Sequence, residues 1–250
     1  FCALYRIPRV LVDPTLPLDL ERVRRRFAGA VFGQTEAVNA IVDTVAMLKA
    51  GLSDVRRPLA AILLVGPTGV GKTYIAQLLA ELLFGDRDRM VRINMAEFKS
   101  EGDVARLFGN APNRKANQNE DPGRGVLATQ LAGYPFGVVL LDEFEKSAPA
   151  VHDHLLQLID EGVFVNGEGE TVSCRSLIFV ATSNAGHEHQ TPGPFGFAGD
   201  DANGNASALC GLEKHFRFEL LNRFDRIIRF APLGVDDARS IVLAELKRIG

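Results

Sequence analysis

The sequence predicts an α/β fold in which a parallel sheet lies between two layers of helices. Three apolar runs, at residues 59–65, 138–141 and 177–181, lack polar alternation, which is typical of strands buried on both faces of a parallel sheet. Segments with apolar residues at helical spacing lie between these runs. The 250 residues, 46% of them hydrophobic, are enough for one large or two small domains with a core.

Charge and cysteine content disfavour several other classes of protein. A net charge of -3 provides no general attraction to nucleic acid or to an anionic membrane surface. The apolar runs fall far short of the ~20 residues of a membrane-spanning helix, so no membrane span is predicted. Cys2, Cys174 and Cys210 are odd in number and lack the spacing of a metal site. We interpret them as reduced thiols of a cytoplasmic protein.

The chain begins with a proline-containing segment and two predicted helices. Residues 1–18 contain three prolines and are predicted to be an irregular linker. An arginine-rich helix is predicted at residues 20–27; we interpret its charges as a solvated face, with an interaction surface as the alternative. Residues 36–50 are predicted to form an amphipathic helix that ends at Gly51.

A glycine-rich turn follows the first apolar run and precedes a helical pattern at residues 72–84. Its glycines let the backbone point successive N–H groups inward at phosphate oxygens, and the helix adds the positive end of its dipole. Lys72 can reach the β- and γ-phosphates, and the Thr73 hydroxyl can ligate Mg²⁺. The turn reads Gly66-Pro67-Thr68-Gly69-Val70-Gly71-Lys72-Thr73 and fits G-x-x-x-x-G-K-[ST], the phosphate-binding loop of nucleoside triphosphatases.

A second apolar run ends in two acids, Asp142 and Glu143. Ligands of parallel sheets bind at the carboxyl ends of the strands, where these acids are expected to lie. Asp142 is predicted to hold the Mg²⁺ shell, and Glu143 to polarise the attacking water as a general base. The alternative, a strand that happens to end on surface acids, fits less well beside a phosphate-binding loop.

Polar residues also follow the third apolar run, which lies in a strand predicted at residues 176–182. Asn184 could orient the water near the γ-phosphate, although Ser-Asn after a strand is also ordinary turn chemistry. His152 and His154, in a predicted helix at 151–161, have no third ligand at suitable spacing, and we interpret them as surface or capping residues. The other predicted elements are strands at 90–94 and 227–230, helices at 102–108, 126–132, 214–221 and 235–248, a hairpin-like loop at 162–171, and polar loops at 109–125 and 186–208.

These motifs, taken in order, resemble the second ATPase module of the Clp family of AAA+ proteins, the ClpA/ClpB-like unfoldases and disaggregases. The resemblance covers about residues 28–250. It rests on six stretches: Val31-Phe32-Gly33-Gln34, the phosphate loop, Ile93-Asn94-Met95-Ala96-Glu97-Phe98, Leu140-Leu141-Asp142-Glu143-Phe144-Glu145-Lys146, Thr182-Ser183-Asn184 and Leu221-Asn222-Arg223-Phe224-Asp225.

The resemblance implies a phosphate-loop αβα sandwich with ATP and Mg²⁺ as cofactors. Val31 and Phe32 would flank the adenine, and Asn184 would sense the γ-phosphate. Arg223 would be an arginine finger that reaches the site of a neighbouring subunit, with a surface ion pair as the alternative. Such a finger implies a ring of identical subunits, six in the family. The expected domains are a linker and short helix at 1–27, a large ATPase domain at 28–231, and the start of a truncated helical lid at 232–250.

One stretch departs from the family pattern. The family has a Gly-aromatic-Val-Gly pore loop that grips a threaded polypeptide, whereas this chain has Ala111-Pro112-Asn113-Arg114-Lys115-Ala116-Asn117-Gln118 and no aromatic residue at 109–125. A polar loop lacks the large apolar contact that such a grip needs. Two functions therefore stay open: a ring motor that remodels proteins, and an ATPase that uses ATP for assembly or switching without threading. A nucleic-acid AAA+ protein is disfavoured by the net charge.

Overall fold

Five parallel strands form the central sheet of the computed structural model, which describes residues 13, 16–109, 123–185 and 211–249. Their order across the sheet is β2-β3-β6-β1-β7. A separate antiparallel hairpin contains β4 and β5. The strands are β1 Ala60–Val65, β2 Met90–Asn94, β3 Gly137–Asp142, β4 Val163–Val165, β5 Thr171–Ser173, β6 Leu177–Ser183 and β7 Arg226–Arg229.

Helices cover both faces of this sheet, each above its own apolar cluster. One cluster joins the sheet to the first three helices through Phe27, Ile41 and Leu79. The other joins the opposite face to the later helices, for example through Leu107 and Leu155. Burying a large apolar side chain contributes about 1.5–3 kcal/mol, so these clusters hold the three layers together. The helices are α1 Leu20–Ala28, α2 Thr35–Lys49, α3 Lys72–Phe84, α4 Asp103–Phe108, α5 Val126–Leu131, α6 Pro149–Glu161, α7 Phe218–Leu221 and α8 Val235–Ile249.

The strand register brings three motifs to one edge of the sheet. Val65 pairs with Ser183, so the phosphate loop after β1 lies beside the residues that follow β6. Leu141 pairs with Ala181, which places Asp142 and its successor at the same level. The predicted α/β sandwich with a parallel sheet is thus confirmed, and its carboxyl edge gathers the candidate site.

Three predicted elements differ from the observed ones by more than one residue at an end or in type. Helix α6 begins at Pro149 because proline is favoured in the first helical turn, where its missing N–H is not needed. The helix predicted at 214–221 is reduced to α7, since Arg217 has an extended backbone and the preceding residues form turns. The hairpin-like loop is a true two-stranded hairpin.

Several sequence predictions concern residues outside the described ranges. These are most of the linker at 1–18, the polar residues 110–122 that include the altered pore loop, and the loop at 186–208. Helix α8 occupies the position predicted for the start of the lid, and Val242, Leu243 and Leu246 on it are exposed. The division into domains remains a prediction. Among the described helices, none is both long and apolar enough to cross a bilayer.

Candidate nucleotide site

The phosphate loop connects β1 to α3 and depends on a close backbone contact. A Cβ atom on Gly66 would lie 2.7 Å from both the Cβ atom and the carbonyl oxygen of Phe230, so only glycine fits there. Gly71 has φ 103°, in the region that favours glycine, immediately before the first residue of α3. The remaining residues of the predicted loop are Pro67, Thr68, Gly69 and Val70. Thr68 and Gly69 line a cavity at the carboxyl ends of the strands, which is called the cavity below.

Lys72 is the most buried cation of the described site, with 7% of its surface exposed. Its Nζ atom donates to the carbonyl oxygens of Gly66 and Pro67, both at 2.6 Å, and to Asn184 Oδ1 at 2.9 Å. All three acceptors are neutral. Burial lowers the pKa of Lys72, and the charges of Glu145 and Asp142 offset that shift only in part. The ammonium is therefore held among weak partners that phosphate oxygens can replace.

Asn184 stands beside that lysine, as its predicted role at the γ-phosphate requires. Its backbone N–H and its Nδ2 donate to Glu145 Oε1, at 3.2 and 3.3 Å. Those bonds orient the Asn184 amide with its oxygen toward Lys72. The second oxygen of Glu145 is buried without a hydrogen-bond partner among the described residues.

Asp142 lies at the end of β3 with both carboxylate oxygens engaged. Oδ1 accepts a hydrogen bond from Thr182 Oγ1, and Oδ2 accepts from Arg92 Nη2 at 2.5 Å and Nε at 3.1 Å. Thr73 and Asp142 line the same cavity, which has a volume of about 950 Å³. Lys72, Glu143 and Asn184 line it as well. The structure thus brings together the predicted phosphate, metal and water residues.

Glu143 has a strained backbone. Its φ of 57° makes it the only non-glycine residue with positive φ in the described parts of the chain. Its N–H donates to Thr182 Oγ1 at 3.1 Å, and its carboxylate accepts from Lys146 Nζ at 2.9 Å. A left-handed non-glycine residue costs on the order of 1–3 kcal/mol, and such residues cluster at functional sites. Glu143 lines the cavity at this strained position.

His152 supports this strained turn from behind. Its Nε2 lies 3.0 Å from Ser147 Oγ and 3.3 Å from the Phe144 carbonyl oxygen, and its ring contacts Phe144 and Phe216. Burial lowers the pKa of His152. The surface interpretation is therefore wrong for His152, because the aromatic cluster encloses it, and holds for the exposed His154. In the described ranges, acidic, histidine and cysteine side chains form no metal-binding group of three or more.

Neither of the two residues predicted to flank the adenine lines the cavity, although Val31 lies next to the phosphate loop. Val31 is buried, and its Cγ1 would be 3.5 Å from a Cβ atom on Gly71. Phe32 is half-buried. The amide of Gln34 fixes this segment, since Nε2 donates to the Ala231 carbonyl oxygen and Oε1 accepts from the Ala231 N–H, both at 2.8 Å.

Arg223 lies at the amino ends of the strands, whereas the cavity lies at their carboxyl ends. Asp225, two residues later, donates its N–H to the Ala61 carbonyl oxygen near the start of β1. Five residues of strand separate that level from Gly66, or about 17 Å. In this chain Arg223 Nε pairs with Asp160 Oδ2 at 2.7 Å. Arg223 therefore belongs to a different surface from the phosphate loop of its own chain.

Comparison with known proteins identifies the family. The family model described as AAA domain (Cdc48 subfamily) matches residues 57–227. The chain belongs to this AAA family. The match spans β1, β3 and β6 with the three motifs at their carboxyl ends. The chain, called the AAA module below, is therefore an ATPase domain.

Individual relatives of the AAA module come from the Clp family, which confirms the resemblance inferred from the motifs. This chain is 40% identical to "Chaperone protein ClpB" of Rhodopseudomonas palustris, over 96% of this chain and 27% of that protein. It is also 40% identical to "Probable chaperone protein ClpB 1" of Chlorobaculum tepidum, over 88% of this chain and 50% of that protein. The chain thus spans about a quarter to a half of the length of these relatives.

A solved structure shares the whole fold of the AAA module. It is described as "Closed State CryoEM Reconstruction of Hsp104:ATPyS and FITC casein". The TM-score is 0.79 and the sequence identity 31%, over 99% of this chain and 42% of the matched chain.

Four residues of the site were not assigned a role from the sequence: Gln34, Arg92, Glu145 and Thr182. Each acts on a residue that is distant in the chain; Arg92 and Asp142, for example, are 50 positions apart. One signal was available for Arg92. It alternates with Val91 and Ile93 in β2, and alternation in a strand places it on the same face as Asn94. Asn94 is the register partner of Asp142.

The residues of the AAA module fit a magnesium nucleotide. Lys72 has no carboxylate within ion-pair distance among the described residues, so its charge is available to a phosphate group. Thr73 and Asp142 would hold Mg²⁺, since hydroxyl and carboxylate oxygens are ligands that Mg²⁺ prefers. The loop N–H groups at the start of α3 would donate hydrogen bonds to phosphate oxygens.

Lys72→Ala in the AAA module is expected to weaken nucleotide binding by about 10–100-fold, because hydrogen bonds to charged groups contribute about 1.5–3 kcal/mol. The measurement is the dissociation constant of a fluorescent ATP analogue. Lys99→Ala, which removes the same charge at an exposed position outside the cavity, serves as the matched control. Equal affinities for wild type and Lys72→Ala, with both proteins folded, would exclude Lys72 from the phosphate site.

Proposed function

We propose that this chain is the ATP-binding and ATP-hydrolysing module of a Clp-like ring motor that remodels proteins. The observation that supports this most is the shared cavity of Lys72, Thr73, Asp142, Glu143 and Asn184. These side chains supply, in one place, a phosphate-binding cation, metal ligands, a base and an amide that can orient water. That combination is what phosphoryl transfer from ATP to water requires.

Each residue has a defined task in the proposed reaction. Lys72 exchanges its neutral acceptors for β- and γ-phosphate oxygens, while Asn184 positions the attacking water or the γ-phosphate. Glu143 leaves Lys146 and accepts the proton of the attacking water. Thr73 and Asp142 would hold Mg²⁺, which would neutralise charge on the phosphate groups.

Arg223 is proposed to complete the site of the adjacent subunit. It cannot contact a phosphate bound to its own chain, because about 17 Å along β1 separates its level from the phosphate loop. Its guanidinium is nearly half exposed, at 46% of the side-chain surface, and its ion pair with Asp160 is therefore weak and easily exchanged. An arginine supplied in trans stabilises charge on the γ-phosphate oxygens in the transition state.

The relatives' names support a role in protein remodelling. Two are called chaperone ClpB, and the solved structure is of Hsp104 with ATPyS and FITC casein. The alternative is an ATPase that drives assembly or switching without threading a polypeptide. The sequence of residues 109–125, which contains no aromatic residue, favours that alternative. The cytoplasm is the proposed location, supported by the free, buried thiol of Cys174.

The test is ATP turnover per subunit over a wide range of protein concentrations, with protein that contains this module. We expect specific activity to rise with concentration, because each site needs an arginine from a neighbour, and such an arginine contributes about 10³-fold or more. Turnover that is high and independent of concentration would contradict shared sites. Nucleotide binding with no turnover at any concentration would favour the switching alternative over the motor.

A further inference from the structure

Arg92 forms an ion pair with Asp142, the carboxylate that is predicted to hold Mg²⁺. It extends from β2, an edge strand of the described sheet, and 59% of its side chain is exposed. Both Nη2 and Nε donate to the same oxygen of Asp142, whose own side chain is only 13% exposed. An exposed arginine thus reaches inward to the carboxylate that is expected to serve the metal.

Little of the Asp142 carboxylate remains available. A carboxylate offers about four acceptor sites. Arg92 uses two on Oδ2, and Thr182 uses one on Oδ1. Mg²⁺ needs an acceptor site on this group, either for direct coordination or for a hydrogen bond from a metal-bound water. The guanidinium also repels the metal, since both carry positive charge.

The other acids at the cavity are also neutralised within the chain. Glu143 pairs with Lys146 at 2.9 Å, and Glu97 pairs with Arg106 at 3.6 Å. Arg106 is not directed at the metal residues, because it also contacts Asp103 and lies over the Phe98 ring. Arg92 is the cation that touches Asp142 among the described residues.

We propose that Arg92 is a built-in counter-cation of the metal site: it holds Asp142 when no metal is bound and competes with Mg²⁺ for that carboxylate. This inference rests on the proposed function, since it assumes that nucleotide and metal bind in this cavity. Its consequence is a site whose nucleotide affinity depends less on Mg²⁺ than that of a site with a bare aspartate. Arg92 is a positioning residue, because it acts through Asp142.

The inference is tested with a fluorescent, non-hydrolysable ATP analogue. The quantity compared is the dissociation constant in EDTA divided by the dissociation constant in excess Mg²⁺. In Arg92→Gln the bare Asp142 repels metal-free nucleotide, while Mg²⁺ binds without a competitor. The ratio is therefore expected to rise by about fivefold or more, which corresponds to one ion pair worth about 1 kcal/mol. Arg92→Lys, which keeps the charge but loses the two-pronged contact, is expected to lie between wild type and Arg92→Gln.

Arg106→Gln is the matched control, because it removes an arginine from the same cavity without touching Asp142. Its ratio is expected to stay within about twofold of the wild-type value. An unchanged or lower ratio in Arg92→Gln overturns the inference, and so does an equal rise in Arg106→Gln. If Arg92→Gln does not fold, a rise in folded Arg92→Lys above wild type supports the inference and an unchanged ratio overturns it. Failure of the wild-type protein to bind the analogue in either buffer is a different result and contradicts the proposed function itself.

Discussion

Glu143→Gln is expected to bind ATP with nearly wild-type affinity and to hydrolyse it about 10²–10⁴-fold more slowly, the usual contribution of a general base. Glutamine has the shape of glutamate, so the left-handed turn and the N–H bond to Thr182 can persist. Its amide cannot accept a proton from water at neutral pH. The measurements are phosphate release under saturating ATP and, separately, the affinity of a fluorescent analogue.

Glu97→Gln is the control for this substitution. Glu97 also faces the cavity but is mostly exposed, and it pairs with Arg106 rather than contacting Asp142 or Thr182. Its turnover is expected to remain close to wild type. Substantial hydrolysis by Glu143→Gln would exclude Glu143 as the general base. Glu145, whose second oxygen is buried and unpartnered in the described structure, would then be the next candidate for the base.

Arg223→Ala is expected to lower turnover by about 10³-fold or more, the contribution of an arginine finger, while nucleotide affinity changes little. A mixture of Arg223→Ala and Glu143→Gln proteins is expected to recover part of the activity. In a mixed assembly, a Glu143→Gln subunit provides an intact Arg223 to a neighbour whose Glu143 is intact. Phosphate release is measured at constant total protein while the ratio of the two variants is changed.

Arg217→Ala provides the comparison for a simple loss of charge. Arg217 lies six positions earlier in the chain and pairs with Asp153, and its side chain is 64% exposed. Its turnover and its behaviour in mixtures are expected to match wild type. If the mixture of Arg223→Ala and Glu143→Gln is no more active than the sum of its components, Arg223 serves only the ion pair with Asp160 that it makes in its own chain.

Local patterns in the sequence were enough to predict the layered fold and the central part of the site. The apolar runs that became β1, β3 and β6 are continuous because both faces of those strands are covered. The phosphate loop was recognised because its glycines, lysine and threonine are adjacent in the chain. The grouping of Asp142 with Asn184 followed from a general rule, since carboxyl ends of parallel strands share an edge.

The contacts that adjust the site could not be predicted in the same way. Arg92 reaches Asp142, and Gln34 reaches Ala231, only because strand register and loop geometry bring distant residues together. His152 was misjudged because a histidine on an amphipathic helix does not reveal whether an aromatic cluster will cover it. The shortened α7 shows the same effect, since tertiary burial of Leu212 and Phe216 in turns overrode a helical pattern.

The cavity and Arg223 lie at opposite ends of the strands of one sheet, which has a consequence for communication between copies of the chain. If each copy supplies Arg223 to the next, every contact has a donor side and an acceptor side, and the two sides are different surfaces. An open row of such copies always leaves one cavity without its arginine, whereas closure gives every cavity one. The nucleotide state of a copy would then be sensed by one neighbour and not by the other, so information would travel around the assembly in a single direction.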